Sequence, residues 1–269
     1  MPSPTRREAA VAGSFYPEDA DALRNTVDAL LADAVSSPAP MPKALVVPHA
    51  GYQYSGPVAA SAYARAARGR GLVERVILIG PSHRVPLRGI ALSGAHGFAT
   101  PLGVVTVPDE WTMDKLSALS AVRVAPEAHR WEHSVEVQLP FIQRVLGEVE
   151  VVPLVAGDAT GDEVADVLEA LWGGPETLVV VSTDLSHYLR DREARPIDAA
   201  TVAKIAALDG PIHHEFACGA TPLNGLLVAA HRHALRPILL DLRNSSDTAG
   251  DPDRVVGYCA FAFEDADHE

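Results

Sequence analysis

The chain has 269 residues, a formal net charge of −13 at neutral pH and a hydrophobic fraction of 48%. An acidic surface repels phosphate backbones, so we expect no nucleic-acid partner, and no apolar run approaches the ~20 residues that span a bilayer. Two cysteines are too few for a secreted disulfide scaffold of this size, and the first ten residues lack the apolar run of a signal peptide. We therefore expect a cytoplasmic protein without membrane contact, folded as a single domain over residues 1–269.

Helical and strand patterns alternate along the chain. Asp19 or Asp21 is expected to cap a first helix, whose apolar face carries Leu23 and Val27, and a proline-rich loop follows at residues 36–43. Strands, together with the loop residues that end them, are predicted within residues 44–52, 75–83, 150–157, 177–187, 236–246 and 254–263. Helices are predicted at residues 57–67, with Pro57 in the first turn, and at residues 112–119, 133–146, 162–172, 194–208 and 221–235.

This alternation predicts an α/β fold, with a central and largely parallel sheet that carries helices on both faces. Residues 89–93 and 103–108 are expected to form a hairpin or another antiparallel excursion. The last two strands are expected to add antiparallel pairs, which makes the sheet mixed.

Histidines follow three of the buried strands. His49 comes just after the first, His83 just after the second, and Asp184 and His187 just after a third. Sites in open α/β sheets form beyond the carboxyl ends of the strands. A single histidine is more often structural than a ligand, but three at equivalent positions predict a shared pocket that binds a divalent metal.

Further candidate residues lie on or near two helices. Cys218 precedes a predicted helix with Thr221 as its cap, where the helix N-terminus favours the thiolate, although a small buried residue is the simpler interpretation of a lone cysteine. His133 and Glu136 share a helix face, whereas Glu132 and Ser134 are expected to point elsewhere. Cys259 is expected in the core, and His268 in a polar tail. Six histidines are expected on the surface: His96, His129, His213, His214, His231 and His233.

Six motifs occur in the order found in the Memo family, also called AmmeMemoRadiSam system protein B. They are VAGSFYP, PHAGYQYSG, GPSH, EHSVEVQLPF, STDLSHY and CGATP. The chain resembles this family from about Ala10 to the closing strand. The family is in turn similar in fold to the class III extradiol (LigB-type) dioxygenases, which bind non-haem iron through two histidines and a carboxylate.

The resemblance implies a metal site made of His49, His83 and Cys218, with Asp184 and His187 beside it. By similarity to the dioxygenases, His187 takes the acid/base role. From its helix position, His133 is a candidate to orient a substrate or a ligand with Glu136 as its outer partner, and a pair on the helix surface is the alternative. A thiolate in place of the carboxylate makes the site softer and adds an oxidisable ligand. We expect one divalent metal, with iron favoured over copper or zinc.

Three functions remain open from the sequence. The first is a redox-active metal enzyme acting on a small molecule or peptide, with Tyr52, Tyr54, Ser55 and Glu136 in substrate binding, although the tyrosines would serve equally as packing residues. The second is a thiol-dependent hydrolase in which His187 or His49 activates Cys218. The third is a non-catalytic partner of AMMECR-type and radical SAM proteins, which the family's name implies.

Overall fold

A computed structural model describes residues 6–34 and 39–265 of the chain. Residues 36–38 of the predicted loop and the tail that carries His268 lie outside the described residues. Within those two ranges, no helix combines the length and the apolar character needed to cross a lipid bilayer.

Helices and strands alternate as expected for an α/β fold. The helices are α1 (Ala20–Asp33), α2 (Tyr52–Ala66), α3 (Asp109–Leu116), α4 (Pro126–Arg130), α5 (Leu139–Val145), α6 (Gly161–Leu171), α7 (Asp191–Ala206) and α8 (Ala220–Arg232). The strands are β1 (Arg6–Arg7), β2 (Ala44–Val47), β3 (Arg75–Pro81), β4 (Ile90–Leu92), β5 (Gly97–Thr100), β6 (Gly103–Thr106), β7 (Val122–Val124), β8 (Glu150–Ala156), β9 (Thr177–Ser182), β10 (His187–Leu189), β11 (Leu235–Asn244) and β12 (Val255–Asp265). The predicted cap of α1 is confirmed at Asp19, whose side chain accepts a hydrogen bond from the Ala22 N–H.

In the described part of the chain, nine strands form one mixed sheet in the order β10-β12-β2-β9-β3-β8-β4-β7, with β11 also paired to β12. Strands β2, β9, β3 and β8 are parallel. Strands β4, β10, β11 and β12 contribute antiparallel pairs. The predicted fold class is therefore confirmed. Because β9 lies between β2 and β3, the residues that follow these three strands meet at one edge of the sheet.

Hydrophobic cores lie on both faces of this sheet. Along β3, Val76 and Leu78 contribute to one core, whereas Ile77 and Ile79 contribute to the other, as the two-residue period of a strand requires. Helices α1, α2 and α5 cover the first core, and α6, α7 and α8 cover the second. Burial on both faces explains why these strands are nearly continuous apolar runs in the sequence.

Helix α2 begins five residues earlier than predicted, so Pro57 lies inside the helix rather than in its first turn. The helix starts where the Tyr52 N–H donates to the Phe15 carbonyl at 2.8 Å. This contact joins segments that are distant in the chain, and a local proline signal cannot reveal it. Pro57 removes only one hydrogen bond, to the carbonyl four residues earlier.

Residues 133–146 do not form the single predicted helix. Residues 136–138 form a 3₁₀ turn, and α5 begins at Leu139 with Pro140 in its first turn. A proline there removes no intrahelical hydrogen bond, so Pro140 starts a helix instead of kinking one. The predicted cap of α8 is also wrong, because Gly219 is the N-cap and Thr221 lies within the helix.

The antiparallel hairpin pairs β5 with β6. Residues 103–106 therefore pair with residues 97–100, and not with residues 89–93 as predicted. Strand β4 joins the main sheet instead, antiparallel to β8. A two-residue connection favours β5 and β6 as neighbours, and Thr100 Oγ1 stabilises it by accepting from the Leu102 N–H at 3.0 Å.

Candidate metal centre

Three imidazoles converge at the edge of the sheet where β2 and β3 end. His49 lies two residues after β2, His83 lies two residues after β3, and His133 precedes the 3₁₀ turn before α5. Each offers one ligand nitrogen, and these nitrogens all lie within 4.8 Å of one another. The expectation that histidines after parallel strands share a pocket is confirmed for His49 and His83.

The third member of this cluster differs from the predicted one. The ring of His133 stacks on His83 with a centroid distance of 4.7 Å, and the His49 ring stands edge-on to both, at 5.1 Å and 5.5 Å. His187 is instead held outside the group, with its Nδ1 2.8 Å from the Leu185 carbonyl oxygen. Because a carbonyl only accepts, Nδ1 of His187 carries the proton and Nε2 is left as an acceptor.

Ser182, the last residue of β9, sets the tautomer of His49. Its hydroxyl donates to the Ser134 carbonyl at 2.7 Å, and its oxygen accepts from Gln138 Nε2 at 3.0 Å. The hydroxyl proton is thereby used, so His49 Nδ1, 2.8 Å away, must donate to the same oxygen. This leaves the lone pair of His49 Nε2 directed away from Ser182 and available for a ligand.

The electrostatic surroundings keep two of the imidazoles neutral. Burial lowers the pKa of His49 well below its ordinary value, and the neighbouring His83 lowers it further. Burial also lowers the pKa of His133 to about 4, and His49 adds to that shift. Neutral imidazole is the form that ligates metals, so His49 and His133 need not lose a proton before binding one.

The expectation that Glu132 points away from the site is wrong. Its carboxylate is fully buried, and Oε1 lies 2.9 Å from His83 Nδ1 and 3.3 Å from His133 Nδ1. Burial raises the pKa of Glu132, but the hydrogen bond and charge of His83 outweigh that effect and lower the pKa to about 2. The sequence signal is the EHS tripeptide, which places a carboxylate directly before a histidine.

Cys218 borders the cluster, with its Sγ 3.2 Å from His49 Nε2. The sulfur also accepts from the Asp184 N–H at 3.3 Å. Burial and the negative charge of Asp184 raise the pKa of the thiol to about 12. The expected thiolate is therefore wrong for the metal-free chain, because burial outweighs the effect of the N-terminus of α8.

The Asp184 carboxylate contacts both the backbone and the ring of His49. Its Oδ1 accepts from the His49 N–H at 2.7 Å, and Oδ2 lies 3.9 Å from His49 Nε2. Burial raises the pKa of Asp184, against the opposing effect of the His49 N–H. The structure thus places Asp184 beside the cluster, as the DLSH motif implies.

A cavity of about 300 Å³ opens beside His83 and Cys218. His83 is the exposed member of the cluster, so the cluster is accessible from this side. The wall combines apolar and polar side chains, among them Ser82, Val85, Leu87, Asp158 and His214. His214 was expected on the surface, and although exposed it reaches this wall, with Nε2 3.2 Å from Thr221 Oγ1. The cavity has the size of a small-molecule site.

Two of the residues expected to bind substrate have other partners. The Tyr52 hydroxyl is buried and donates to the Val137 carbonyl at 2.6 Å, and the Ser55 hydroxyl donates to the Ala50 carbonyl at 2.9 Å. Both therefore stabilise the packing of α2. Tyr54 keeps partial exposure, and its contact with substrate stays a prediction.

Glu136 has a structural position, which corrects both its expected contact with substrate and its pairing with His133. The carboxylate is fully buried and accepts hydrogen bonds from Arg7 and from the N–H groups of Ala10 and Val11. The Tyr16 hydroxyl donates to it as well, at 2.6 Å. Glu136 thus anchors the N-terminal segment, because the 3₁₀ turn directs it away from the helix face assumed for it.

His129 is also misassigned to the surface. It is completely buried, and its Nε2 lies 2.9 Å from the Ala91 carbonyl oxygen. Burial lowers its pKa to about 4. His129 is therefore a structural residue of α4 whose side chain contacts the backbone of β4. The other four histidines expected on the surface are exposed: His96, His213, His231 and His233.

Comparison with known proteins identifies the family of this chain. The chain matches the family described as "Memo-like protein" over residues 7–262. The chain belongs to this Memo-like family. It is 34% identical to a MEMO1 family protein of Aquifex aeolicus, over 96% of this chain and 98% of that relative. A MEMO1 family protein of Metallosphaera sedula is 31% identical, over 97% and 100% of the two chains.

In this member of the Memo-like family, the donor set fits a divalent metal ion. Two of the imidazoles are neutral, and the Nδ1 atoms of His49 and His83 are held by Ser182 and Glu132, which leaves Nε2 of each for a ligand. Imidazole ligands suit iron, copper and zinc alike. The cluster can therefore hold a metal. Because its ligands suit several metals, elemental analysis must identify which metal is bound.

Proton release distinguishes Cys218 from His133 as the third ligand. The thiol, with a pKa raised to about 12, must lose a proton to ligate, whereas His133 is already neutral. If Cys218 ligates, the Zn²⁺ affinity is expected to rise by about tenfold per pH unit between about pH 7 and pH 9. Calorimetry in buffers of different ionisation enthalpy measures the protons released. Because metal-bound water also releases protons, Cys218→Ala is measured in parallel, and an unchanged proton count in this variant would assign the third position to His133.

Proposed function

We propose that this chain binds one redox-active metal ion at the cluster and acts with it on a small molecule in the adjoining cavity. We expect iron in preference to copper or zinc. The observation that supports the proposal is the convergence of three imidazoles, one of which, His83, lines a cavity of about 300 Å³. His49 and His83 belong to both candidate ligand sets. The third ligand is Cys218 by resemblance to the Memo family, or His133 by geometry.

A bound iron ion would supply Lewis acidity and electron transfer with O₂. The residues of the chain orient the ligands and move protons. Ser182 and Glu132 hold the Nδ1 atoms of His49 and His83. His187, whose Nδ1 donates to the Leu185 carbonyl, keeps Nε2 available to accept a proton from a substrate hydroxyl.

The cavity suggests the kind of substrate to test. Its apolar wall includes Val85, Pro86 and Leu87, and its polar groups include Ser82 and Asp158. A small aromatic ring with hydroxyl groups suits such a mixed wall. Together with the fold resemblance to extradiol dioxygenases, this makes catechols the first substrates to screen.

The proposal is tested by metal analysis of anaerobically purified protein, followed by O₂ uptake measurements with a panel of catechols. We expect near-stoichiometric iron and O₂ uptake that depends on both iron and substrate. Protein that stays metal-free after anaerobic reconstitution with iron, copper or zinc would contradict the metal site. Stoichiometric iron without O₂ uptake for any catechol would remove the dioxygenase-like part of the proposal.

A metal-free thiol hydrolase is less well supported. Such an enzyme needs a base that takes the Cys218 proton. The neighbouring base is His49, whose pKa is lowered by burial, while burial raises the pKa of the thiol. Both shifts disfavour the thiolate–imidazolium pair that a cysteine nucleophile uses.

We also propose association with a protein partner, since large aromatic side chains are exposed next to residues of the site. Trp131, which precedes Glu132, is 62% exposed, and Tyr188, which follows His187, is 63% exposed. Exposed aromatic residues are typical of protein-binding surfaces. The partners that the family's name implies are AMMECR-type and radical SAM proteins. Co-purification with either, lost in a Trp131→Ala/Tyr188→Ala variant, would support this role.

A further inference from the structure

Glu132 is a fully buried carboxylate that joins two segments of the chain at the cluster. Its Oε2 accepts from the His83 N–H at 2.6 Å. Its Oε1 accepts from the N–H groups of His133 and Ser134, both at 2.9 Å. The same oxygen lies against the Nδ1 atoms of His83 and His133. One side chain therefore contacts the backbone and the ring of both histidines.

We propose that Glu132 is the positioning residue of the metal centre, which fixes the Nδ1–H tautomer of His83 and holds the rings of His83 and His133 in their stacked arrangement. The metal-binding consequence of this role rests on the proposed function, whereas the orientation of the rings does not. A carboxylate has no proton to donate when ionised, so His83 Nδ1 must donate to it. The Nε2 of His83 is then unprotonated, and its lone pair is available for a ligand.

The surroundings of Glu132 require a carboxylate. The groups that donate hydrogen bonds to the carboxylate are the N–H groups of His83, His133 and Ser134 and the Nδ1 of His83. An amide in its place would direct its NH₂ group at another donor in either orientation. Arg7 also fixes the backbone of Glu132, because its Nη2 donates to the main-chain carbonyl oxygen of Glu132 at 2.6 Å. The position of the carboxylate is thus fixed through both its backbone and its side chain.

The first test uses the metal-free protein labelled with ¹⁵N in its histidines. Long-range ¹H–¹⁵N correlation spectra at pH 8 identify which ring nitrogen of His83 carries the proton. We expect the Nδ1–H tautomer in the wild type and a loss of this preference in Glu132→Gln. This readout requires no metal and no activity, so it remains valid if the proposed function fails.

The second test is the affinity for Zn²⁺ as a probe metal. Loss of the outer hydrogen-bond partner of a ligating histidine typically lowers metal affinity by about 10–100-fold, which is the loss expected for Glu132→Gln. The matched control is Glu136→Gln. Glu136 is also fully buried and also accepts hydrogen bonds from backbone N–H groups, but these belong to the N-terminal segment. The control is expected to be destabilised similarly while its His83 tautomer and its Zn²⁺ affinity stay as in the wild type.

A folded Glu132→Gln protein with an unchanged His83 tautomer would overturn the positioning role. An equal change in Glu136→Gln would overturn it too, because the effect would then be a general loss of structure. If Glu132→Gln does not fold, Glu132→Asp replaces it, since the shorter carboxylate keeps its charge but cannot reach both the N–H and the ring of His83. Wild-type protein that binds no Zn²⁺ but shows the expected tautomers would overturn the proposed function alone.

Discussion

Replacing His49 with alanine is expected to remove the metal site. His49 is buried, its ring contacts both other imidazoles, and its Nε2 lies 3.2 Å from Cys218 Sγ. It therefore belongs to the ligand set whichever residue is third. The loss of Zn²⁺ affinity should exceed the roughly 10–100-fold that the loss of an outer hydrogen-bond partner costs. Metal content after anaerobic purification and calorimetric titration with Zn²⁺ measure it.

Two further variants distinguish the loss of a ligand from a loss of metal that is caused by unfolding. His83→Ala removes a second ligand from an exposed position, so it leaves no cavity in the core, although it takes one hydrogen-bond donor from the buried Glu132 carboxylate; we expect it to lose metal and to remain folded. His233→Ala removes an exposed histidine that contacts Glu169 and stacks on Trp172, and it should keep full metal content. Stoichiometric metal in folded His49→Ala would refute the assignment of this cluster.

Replacing Arg7 with methionine is expected to lower the free energy of unfolding by about 3–5 kcal/mol, the usual cost of leaving one charge of a buried ion pair without its partner. Arg7 is 8% exposed and forms an ion pair with the buried Glu136. Its guanidinium also donates to the carbonyls of His129 and Glu132. The variant therefore loses an ion pair and the contacts that join the N-terminal segment to the backbone of the site. Urea unfolding followed by circular dichroism measures the change.

The neighbouring residue provides a matched control for this variant. Arg6 has an exposed side chain that pairs with the exposed Glu8. Surface pairs of this kind contribute about 0–1 kcal/mol, so Arg6→Met should change the unfolding free energy by no more than that. Equal effects of the two substitutions would show that the pairing of Arg7 with Glu136 does not hold the segment in solution.

The strand-end histidines show what hydrophobic patterning can predict. Short apolar runs flanked by turn residues locate β2, β3 and β9, and parallel strands in one sheet place their carboxyl ends together. His49 and His83 were therefore found as neighbours from residues 34 positions apart. The antiparallel closing strands β11 and β12 were also predicted correctly. The partner of β6 was not, because it depends on the turn between β5 and β6.

Helical periodicity was not sufficient to predict which carboxylate contacts the histidine cluster. A helix over residues 133–146 would direct Glu132 away from His133, but residues 131–135 are not helical and a 3₁₀ turn follows at residues 136–138. Glu132 thereby contacts His83, and Glu136 contacts Arg7. The predicted helix thus assigned Glu136 to the site and Glu132 away from it, and only the adjacent carboxylate and histidine of the EHS tripeptide indicated the contact that the structure shows.

The protonation of Cys218 is a second property that the sequence could not give. Its place before a helix suggests a lowered pKa, yet burial and Asp184 raise the pKa instead. Desolvation depends on how completely other segments cover the sulfur, and those segments are distant in the chain.

The sequence alone therefore determined the α/β class, the family and the pair of histidines at the ends of β2 and β3, because these follow from local periodicity and from ordered motifs. Only the tertiary structure decided that His133 completes the cluster, that Glu132 supports it and that Cys218 is a protonated thiol. Those properties arise from contacts between segments tens of residues apart, whose distances and burial are fixed by packing rather than by any pattern along the chain.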